Sequence, residues 1–404
     1  MSQSSDTTQT YTGSAGQRPM VLAMALMAGL VVINIYCNQP MLPLIASDLG
    51  VPKASMGLIP AFTLAGFGSG LFFLLPLGDR FDRRILILIQ LALACCFASL
   101  AATASDLSTL LVASFGLGFV SVLTQQLVAL AAVSAAPSER GRMAGIVLAG
   151  ISVGILLGRV LGGVISSTYG WRTVFGMLAV GMVVIALGAS LILPKAQPAS
   201  ELAYGRLLGS MWHLARDHKV MRDAMLVQGL IWAAFNALWA NLATFLAQEP
   251  YNLGSAWAGA FGFCGIAGVL SAAFGGQAVD RIGAPRIVIF SILAVIAAYY
   301  VLFLAPFLAP WSLVALVIGV IMLDVGVQSG LVSNQSRAFA IDRNAASRIN
   351  GLYMTAAFTG GAIGAAVSGW LMAQFGWNGV AAFGCAAGLL AGLVHLRYRC
   401  SVKE

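Results

Sequence analysis

Hydrophobic positions in this chain neither alternate with polar ones nor recur once per helical turn. They run in blocks of roughly 20, about the length a helix needs to cross a bilayer, broken by short charged or Gly/Pro-containing segments. Twelve blocks can be placed, beginning near Met20, Met56, Arg84, Leu107, Met143, Thr173, Ala224, Ala256, Ile287, Trp311, Gly351 and Trp377. Apolarity sustained over that length predicts helices in lipid, where backbone polar groups must be satisfied within the element itself. The pattern therefore predicts an all-α polytopic membrane protein with little chain left for loops.

One polar stretch, 195–222, is longer than the others and separates the sixth block from the seventh. It divides the chain into a six-helix bundle over 18–194 and a second over 223–397. Within it Leu207, Leu208, Met211, Trp212 and Leu214 recur at helical spacing beside Arg206, Arg216 and Lys219, which suits a helix lying in the membrane interface. An unstructured linker is the alternative. Residues 1–17, rich in Ser, Thr and Gln, are expected to form a disordered cytoplasmic tail, and 398–404 a second tail. The first block is too long for a cleaved signal peptide and leads into Pro40 and Pro43, so it is expected to remain as the first span.

Composition agrees, with 59% hydrophobic residues against 9% charged, a balance foreign to soluble domains. Basic residues set the orientation, because Lys and Arg are retained in the cytoplasm. With the chain in the cytoplasmic membrane and both termini in the cytoplasm, only Lys53 and Arg172 of the 22 basic residues fall outside, and Arg159 falls within a span. The net charge of +8 is then a topology signal, with a secondary attraction to anionic lipid, and poor evidence for a nucleic-acid partner. The six cysteines show no CxxC spacing and no neighbouring His, so neither a disulfide framework nor a metal site is expected. His213, His218 and His395 fall at or near the cytoplasmic face, leaving no intramembrane His for acyl transfer, and no P-loop occurs. Neither an enzyme nor a cofactor is expected.

A short charged loop occurs twice. Leu77-Gly78-Asp79-Arg80-Phe81-Asp82-Arg83-Arg84 is echoed half a chain later by Gly276-Gln277-Ala278-Val279-Asp280-Arg281-Ile282-Gly283-Ala284-Pro285-Arg286. Each copy is a tight turn between apolar blocks, and internal repeats of multi-span segments characterise transporters. The glycines are also ordered. Gly150, Gly154, Gly158 and Gly162 recur every fourth residue in span 5 and form a smooth ridge for another helix backbone. Span 11 offers Gly361, Ala365 and Gly369 at the same step, and span 2 offers Gly66 and Gly70. Tight packing and a direct part in motion are both open for these ridges.

These residues resemble the major facilitator superfamily, and more narrowly its twelve-span drug:proton antiporters. The resemblance rests on the doubled loop, the Asn38-Gln39-Pro40-Met41-Leu42-Pro43 end of span 1 and the glycine ridge of span 5, and covers essentially the whole chain. It implies the major facilitator fold: 12 transmembrane helices in two pseudo-symmetric six-helix bundles that rock around a central cavity. It also implies that Asp79, Arg80, Arg83, Arg84 and Arg140, with Asp280 and Arg281 in the second half, act as latches between outward-open and inward-open states. Basic residues that only fix topology are the alternative. Ser114 stands where the antiporters carry an Arg implicated in proton coupling, and Arg159 follows Gly158 where they carry Pro.

Arg159 and Asp324 are the only charged residues that the pattern places deep in the bilayer. Alone, each would cost roughly 2.5 to 3.5 kcal/mol on insertion scales, so each needs a partner or a wet cavity. Their backbones are expected to differ in depth by about 7 Å at a rise of about 1.5 Å per residue, within reach of an Arg side chain, so the two are expected to interact across the interface of the halves. Three roles stay open: a structural salt bridge, a substrate-binding pair, and a coupling pair in which Asp324 takes up a proton and releases Arg159. Gln228, Trp232, Asn236 and Trp239 in span 7 share one helical face, expected to be a cavity wall. Gln328 continues the Asp324 face in span 10, followed by Gln335. Asn34 and Asn38 in span 1, and Gln125 and Gln126 in span 4, are candidates for substrate contact or interhelical hydrogen bonds.

The resulting expectation is a monomeric secondary carrier that moves a small-molecule substrate across the lipid bilayer, with protons as the coupling partner and export as the direction. An uptake symporter or uniporter for a small polar metabolite, and a non-transporting membrane sensor on the same fold, are the alternatives.

Overall fold

The computed structural model of the chain describes residues 14–136, 138–194, 204–342 and 345–403, and every regular element among them is a helix. Among the described residues, eleven stretches are long and apolar enough to cross a membrane. The last, Arg348–Cys400, lies in the helical stretch Ala346–Lys403, which breaks at Gly376 (φ 62°, ψ −154°) into two helices, so the described residues make twelve spans. Spans 1 to 6 are Arg18–Leu49, Leu58–Gly78, Arg83–Ala102, Leu107–Val133, Arg140–Tyr169 and Trp171–Ile192. Span 7 is Lys219–Leu246, span 9 Ala284–Phe307 and span 10 Ser312–Phe339. Span 8 joins Ser255–Ala260, a 3-10 turn at Phe261–Cys264 and Gly265–Ile282. Spans 11 and 12 lie on either side of Gly376.

The boundaries differ from the expected ones at the polar segments. The first helix starts at Ser14, inside the segment expected to be a disordered tail, and residues 1–13 lie outside those described. The last helix runs to Lys403 through the expected second tail, since no Gly or Pro stops it after Gly392. Residues 195–203 also lie outside the described chain, but Tyr204–Asp217 is the helix expected in the linker. It buries Leu207 and Met211 and leaves Trp212 exposed. Leu207 and Met211 line a cleft with Leu71 and Leu75 of span 2 and Gly351 of span 11, and the Tyr204 hydroxyl donates to the Phe73 carbonyl at 2.8 Å. The helix therefore seats against both halves and marks one end of the bundle, here the linker end.

A second repeat lies at the opposite end. Spans 5 and 6 meet at Tyr169-Gly170-Trp171, and spans 11 and 12 at Phe375-Gly376-Trp377. Both glycines take positive φ, 84° and 62°, a region where a side chain would be strained, so each pair of helices reverses with no loop between. Each Trp anchors its turn: the Trp171 indole donates to Asp48 at 3.2 Å and the Trp377 indole to the Leu302 carbonyl at 2.8 Å.

Small residues set the packing. Gly150, Gly154, Gly158 and Gly162 face Ala25, Gly29, Ile33 and Cys37 of span 1, two ridges with the same four-residue step. A Cβ at Gly150, Gly154 or Gly162 would run into the carbonyl oxygen opposite. The second half repeats the device, with Gly360 and Gly364 of span 11 against Gly229 and Ala233 of span 7. Gly118 of span 4 abuts the Thr63 carbonyl of span 2, and Gly66 and Gly70 return the contact at Phe115 and Phe119. Away from the linker end, two contacts of this kind join the halves: Gly57 on Ala365 and Gly369, and Gly163 on Ser255 and Gly259.

Inside the second half, Asp223 of span 7 accepts from Arg337 of span 10 at 2.6 Å and lies 3.1 Å from His395 Nδ1 of span 12. Arg337 also donates to Asn334 at 3.0 Å, and Asn334 to Gln228 at 3.4 Å. Three more ionisable groups are thus buried inside the bundle, close to its linker end, where the sequence pattern had not singled them out. The helices outrun the apolar blocks: span 7 begins at Lys219, so Asp223 falls inside the bundle, and His395 is buried before span 12 ends.

Two measurements of thermal unfolding on the detergent-purified protein test these contacts. Gly118→Ala and Gly154→Ala set a methyl against a carbonyl oxygen and are expected to destabilise by about 1 to 3 kcal/mol, whereas Gly145→Ala, facing open space, should leave Tm unchanged. Arg337→Gln leaves the buried Asp223 with His395 alone and should cost about 3 to 5 kcal/mol. Adding Asp223→Asn should recover much of that loss, and strictly additive effects would contradict the network.

Candidate functional site

The site is built around the end of span 1. Pro40 has no N–H to continue the helix and Pro43 follows it, so the helix Ser14–Tyr36 gives way to a 3-10 turn at Gln39–Met41 before resuming as Leu42–Leu49. The turn presents Gln39 to Arg159 of span 5, whose Nε donates to Gln39 Oε1 at 3.0 Å. The guanidinium lies over the Trp239 ring of span 7, 3.6 Å from its centroid, with the Tyr36 and Phe235 rings at 5.2 and 5.7 Å. Stacking of this kind suits the flat, weakly hydrated guanidinium. Spans 1 and 5 belong to the first half and span 7 to the second, so Arg159 stands at the seam. It is 2% exposed, yet its Nη2 has no hydrogen-bond partner.

Asp324 of span 10 is 3% exposed, and its Oδ2 also has no partner. It faces span 8, where Gly265 and Gly268 pack on it, with Gln328 half-buried beside Gly268. No N–O approach within 4.0 Å joins Asp324 to Arg159, so the two charges do not form a salt bridge. Gln39 and Trp239 hold the guanidinium, and span 8 runs past both charges, with Gly259 and Gly262 on Arg159 and Gly265 and Gly268 on Asp324. The two remain within each other's electrostatic reach.

The span 7 face predicted from its spacing is buried throughout, and each of its four residues keeps one unpaired polar atom: Gln228 Nε2, Trp232 Nε1, Asn236 Oδ1 and Trp239 Nε1. Asn236 donates to the Trp232 carbonyl at 3.0 Å. Most buried polar groups in proteins find a partner, so four unpaired atoms along one helical face are unusual. Toward the linker end, Trp232 packs on Phe358 of span 11 and Phe358 on Phe67 of span 2, both at 4.5 Å between ring centroids. That aromatic group closes the seam beside the stripe.

The other predicted residues fall elsewhere. Asn34 donates to the Val31 carbonyl at 3.0 Å and approaches Met182 Sδ of span 6, inside the first half and away from the seam. Asn38 donates to Thr63 of span 2 at 3.0 Å, Gln126 reaches the Leu74 carbonyl at 3.3 Å, and Gln125 is half-buried. In the first charged loop Asp82 caps span 3 by accepting from the Arg84 N–H at 2.9 Å, and the Arg84 guanidinium donates to the Ser190 carbonyl of span 6. Arg83 folds over Gly78, Arg80 rests by Phe81, and Arg140 is exposed. These contacts stay within the first half. The Asp79 side chain lies outside the described residues, and Asp280 and Arg281 are exposed.

Gln39, Tyr36 and Phe235 enter the site without having been singled out from the sequence. Gln39 had a signal, because an intramembrane Arg needs an acceptor and Gln39 sits at the proline break. Span 8 had one too: Gly259, Gly262, Gly265 and Gly268 recur every third residue around the 3-10 turn at Phe261–Cys264.

Comparisons with known proteins agree with this architecture. The profile described as Major Facilitator Superfamily matches residues 24–355. The chain is 34% identical over 377 residues to the uncharacterized transporter YgaY of Escherichia coli O157:H7, covering 93% of this chain and 94% of that protein. It is 33% identical to the probable transporter SCO4007 of Streptomyces coelicolor, covering 91% and 85%. Among solved structures, the nucleoside transporter NupG superposes with a TM-score of 0.75 at 14% identity, covering 96% of this chain and 99% of that one. A bacterial homologue of the human lysosomal transporter Spinster, inward-facing and unoccupied, gives 0.74 at 15% identity, covering 96% and 97%. At those identities the likeness is one of fold. Twelve spans in two halves, a family profile over most of the length and full-length relatives make the chain a member of the Major Facilitator Superfamily, a membrane-embedded transporter of a small-molecule substrate and not an enzyme.

Proposed function

We propose that the protein exports a small organic compound across the cytoplasmic membrane by alternating access, as a monomer with both termini in the cytoplasm, in exchange for protons. The observation that carries this reading is the pair of buried, incompletely partnered charges at the seam, Arg159 and Asp324. Ionisable groups inside a membrane bundle are kept for function unless they are fully paired, and these two stand on different halves. Any rocking of the halves changes what each can touch.

Asp324 is the candidate for coupling. A buried carboxylate can be neutralised by a proton or by a cationic group, and each excludes the other at the same oxygen. That exclusion is what exchange requires. Ser114, where similar antiporters carry Arg, is buried and its hydroxyl has no partner, so the coupling role shifts to Asp324. The unpaired atoms along Gln228, Trp232, Asn236 and Trp239 support span 7 as the wall of the path.

Sidedness follows from charge. The linker end carries the Arg-rich loops and is assigned to the cytoplasm. The small-residue contacts at Gly57 and Gly163 then close the seam toward the outside, and export requires them to part.

Flux in proteoliposomes tests the reading, with a compound found by thermal stabilisation of the purified protein. Wild-type flux should rise when a proton gradient is imposed. Asp324→Asn should lose about tenfold or more of the gradient-driven flux, equivalent to about 1.4 kcal/mol, while keeping counterflow of the same compound. Unchanged proton coupling in Asp324→Asn would remove Asp324 from the mechanism, and wild-type flux indifferent to the gradient would remove proton exchange.

A further inference from the structure

The arrangement of the two charges restricts the chemistry of the cargo, on the reading that the seam is the transport site. Arg159 uses its Nε on Gln39 and its flat face on Trp239, which leaves Nη2 as a free donor. A guanidinium edge of that kind pairs with a carboxylate or similar anion. Asp324 offers the unpaired acceptor Oδ2, which matches an ammonium. From the geometry we infer that this site binds a small zwitterion, with its anionic group on Arg159 and its cationic group on Asp324.

Charge balance favours that class over singly charged cargo. Arg159 and Asp324 together sum to zero, and the structure holds them apart while leaving each within the other's field. A monoanion on Arg159 would leave Asp324 unpaired and add a like charge beside it. A monocation on Asp324 would do the same to Arg159. An unpaired buried charge is among the costliest groups a protein interior can hold. A zwitterion supplies both missing partners at once and leaves the net charge of the site unchanged.

Span 8 is the element that both charges share. Gly259 and Gly262 meet span 5 at Arg159, and Gly265 and Gly268 meet span 10 at Asp324. A methyl added at Gly262 would come within 3.2 Å of Arg159 Cβ, and one at Gly268 within 3.2 Å of Asp324 Cβ. Beside Arg159, Gln39, Pro40, Trp239, Leu242, Ala243 and Ala258 line a gap of only about 10 Å³, the room of a single water molecule, so the seam is closed on the guanidinium and a ligand reaches it as the halves part. Because Arg159 belongs to the first half and Asp324 to the second, the bound zwitterion would bridge the halves.

The test uses three matched sets on the full-length purified protein: alanine, leucine and phenylalanine, each with the amine that lacks its carboxylate and the acid that lacks its ammonium. The amines are ethylamine, isoamylamine and phenethylamine, and the acids propionate, isocaproate and phenylpropionate. Thermal stabilisation titrated against concentration gives the affinities. At least one amino acid should bind about thirtyfold or more tightly than its amine and its acid, the factor for removing one buried charge partner at about 2 kcal/mol. In Arg159→Gln the amine should bind as well as the amino acid, and in Asp324→Asn the acid should.

Should either variant fail to fold, the wild-type ranking decides alone. An amine or acid that binds wild type as tightly as its parent amino acid overturns the proposal, and so does the absence of stabilisation by every member of the sets. Counterflow in proteoliposomes separates this inference from the transport reading. A zwitterion that binds without exchange upholds the site and removes the carrier role, whereas exchange of a singly charged member upholds the carrier and overturns the zwitterion.

Discussion

In lipid, apolar side chains gain little by leaving solvent for one another, so these helices are held by how closely their backbones can approach. Several of the largest pairings show it. Span 5 lies on span 1 through glycines at every fourth position, span 11 lies on span 7 through Gly360 and Gly364, and the halves touch at Gly57 and Gly163. Contacts of this kind give close van der Waals packing without interdigitating side chains. Two such surfaces can separate without withdrawing knobs from holes, which suits the joint between two bodies that must part and meet again.

Against that smooth packing, the polar groups at the seam are exceptions, and they are concentrated. Arg159 crosses from one half to the other to lie on Trp239, so its position depends on both bodies at once. The network of Asp223, Arg337 and His395 differs: it lies wholly within the second half and ties spans 7, 10 and 12 together. Asn334 joins that network to Gln228 at one end of the span 7 stripe. The seam is thus underlain on one side by a rigid polar framework, while Asp324 on span 10 is held chiefly by packing against span 8.

Much of this was legible in the sequence. Long apolar blocks specify spans because lipid leaves the backbone no alternative to the helix, and the span 5 ridge and span 7 face were visible because helical geometry converts spacing directly into a surface. The misses have physical causes. Hydropathy blocks end where polar residues begin, but a helix inside a bundle continues past that point, so the buried grouping of Asp223 and His395 with Arg337 was not visible from the blocks. Periodicity places Asn34 on a helical face without saying which neighbour that face meets, and it meets span 6. Depth alone brought Arg159 and Asp324 within reach of one another but could not show that each also packs against span 8. The three-residue glycine step was overlooked because an α-helix does not align positions three apart over several turns, and here the first two glycines meet span 5 and the last two span 10.

Span 7 is the most buried of the spans and, with span 8, the least apolar. Its polar face and its indoles are sheltered by the Gln39 turn of span 1, by span 10 and by spans 11 and 12, and the last three are synthesised after it. A helix in that position enters the bilayer before the surroundings that make its residence there comfortable. Its settling is therefore an event of biogenesis that waits for the end of the chain, and damage to the last two helices would be felt first in the middle of the protein.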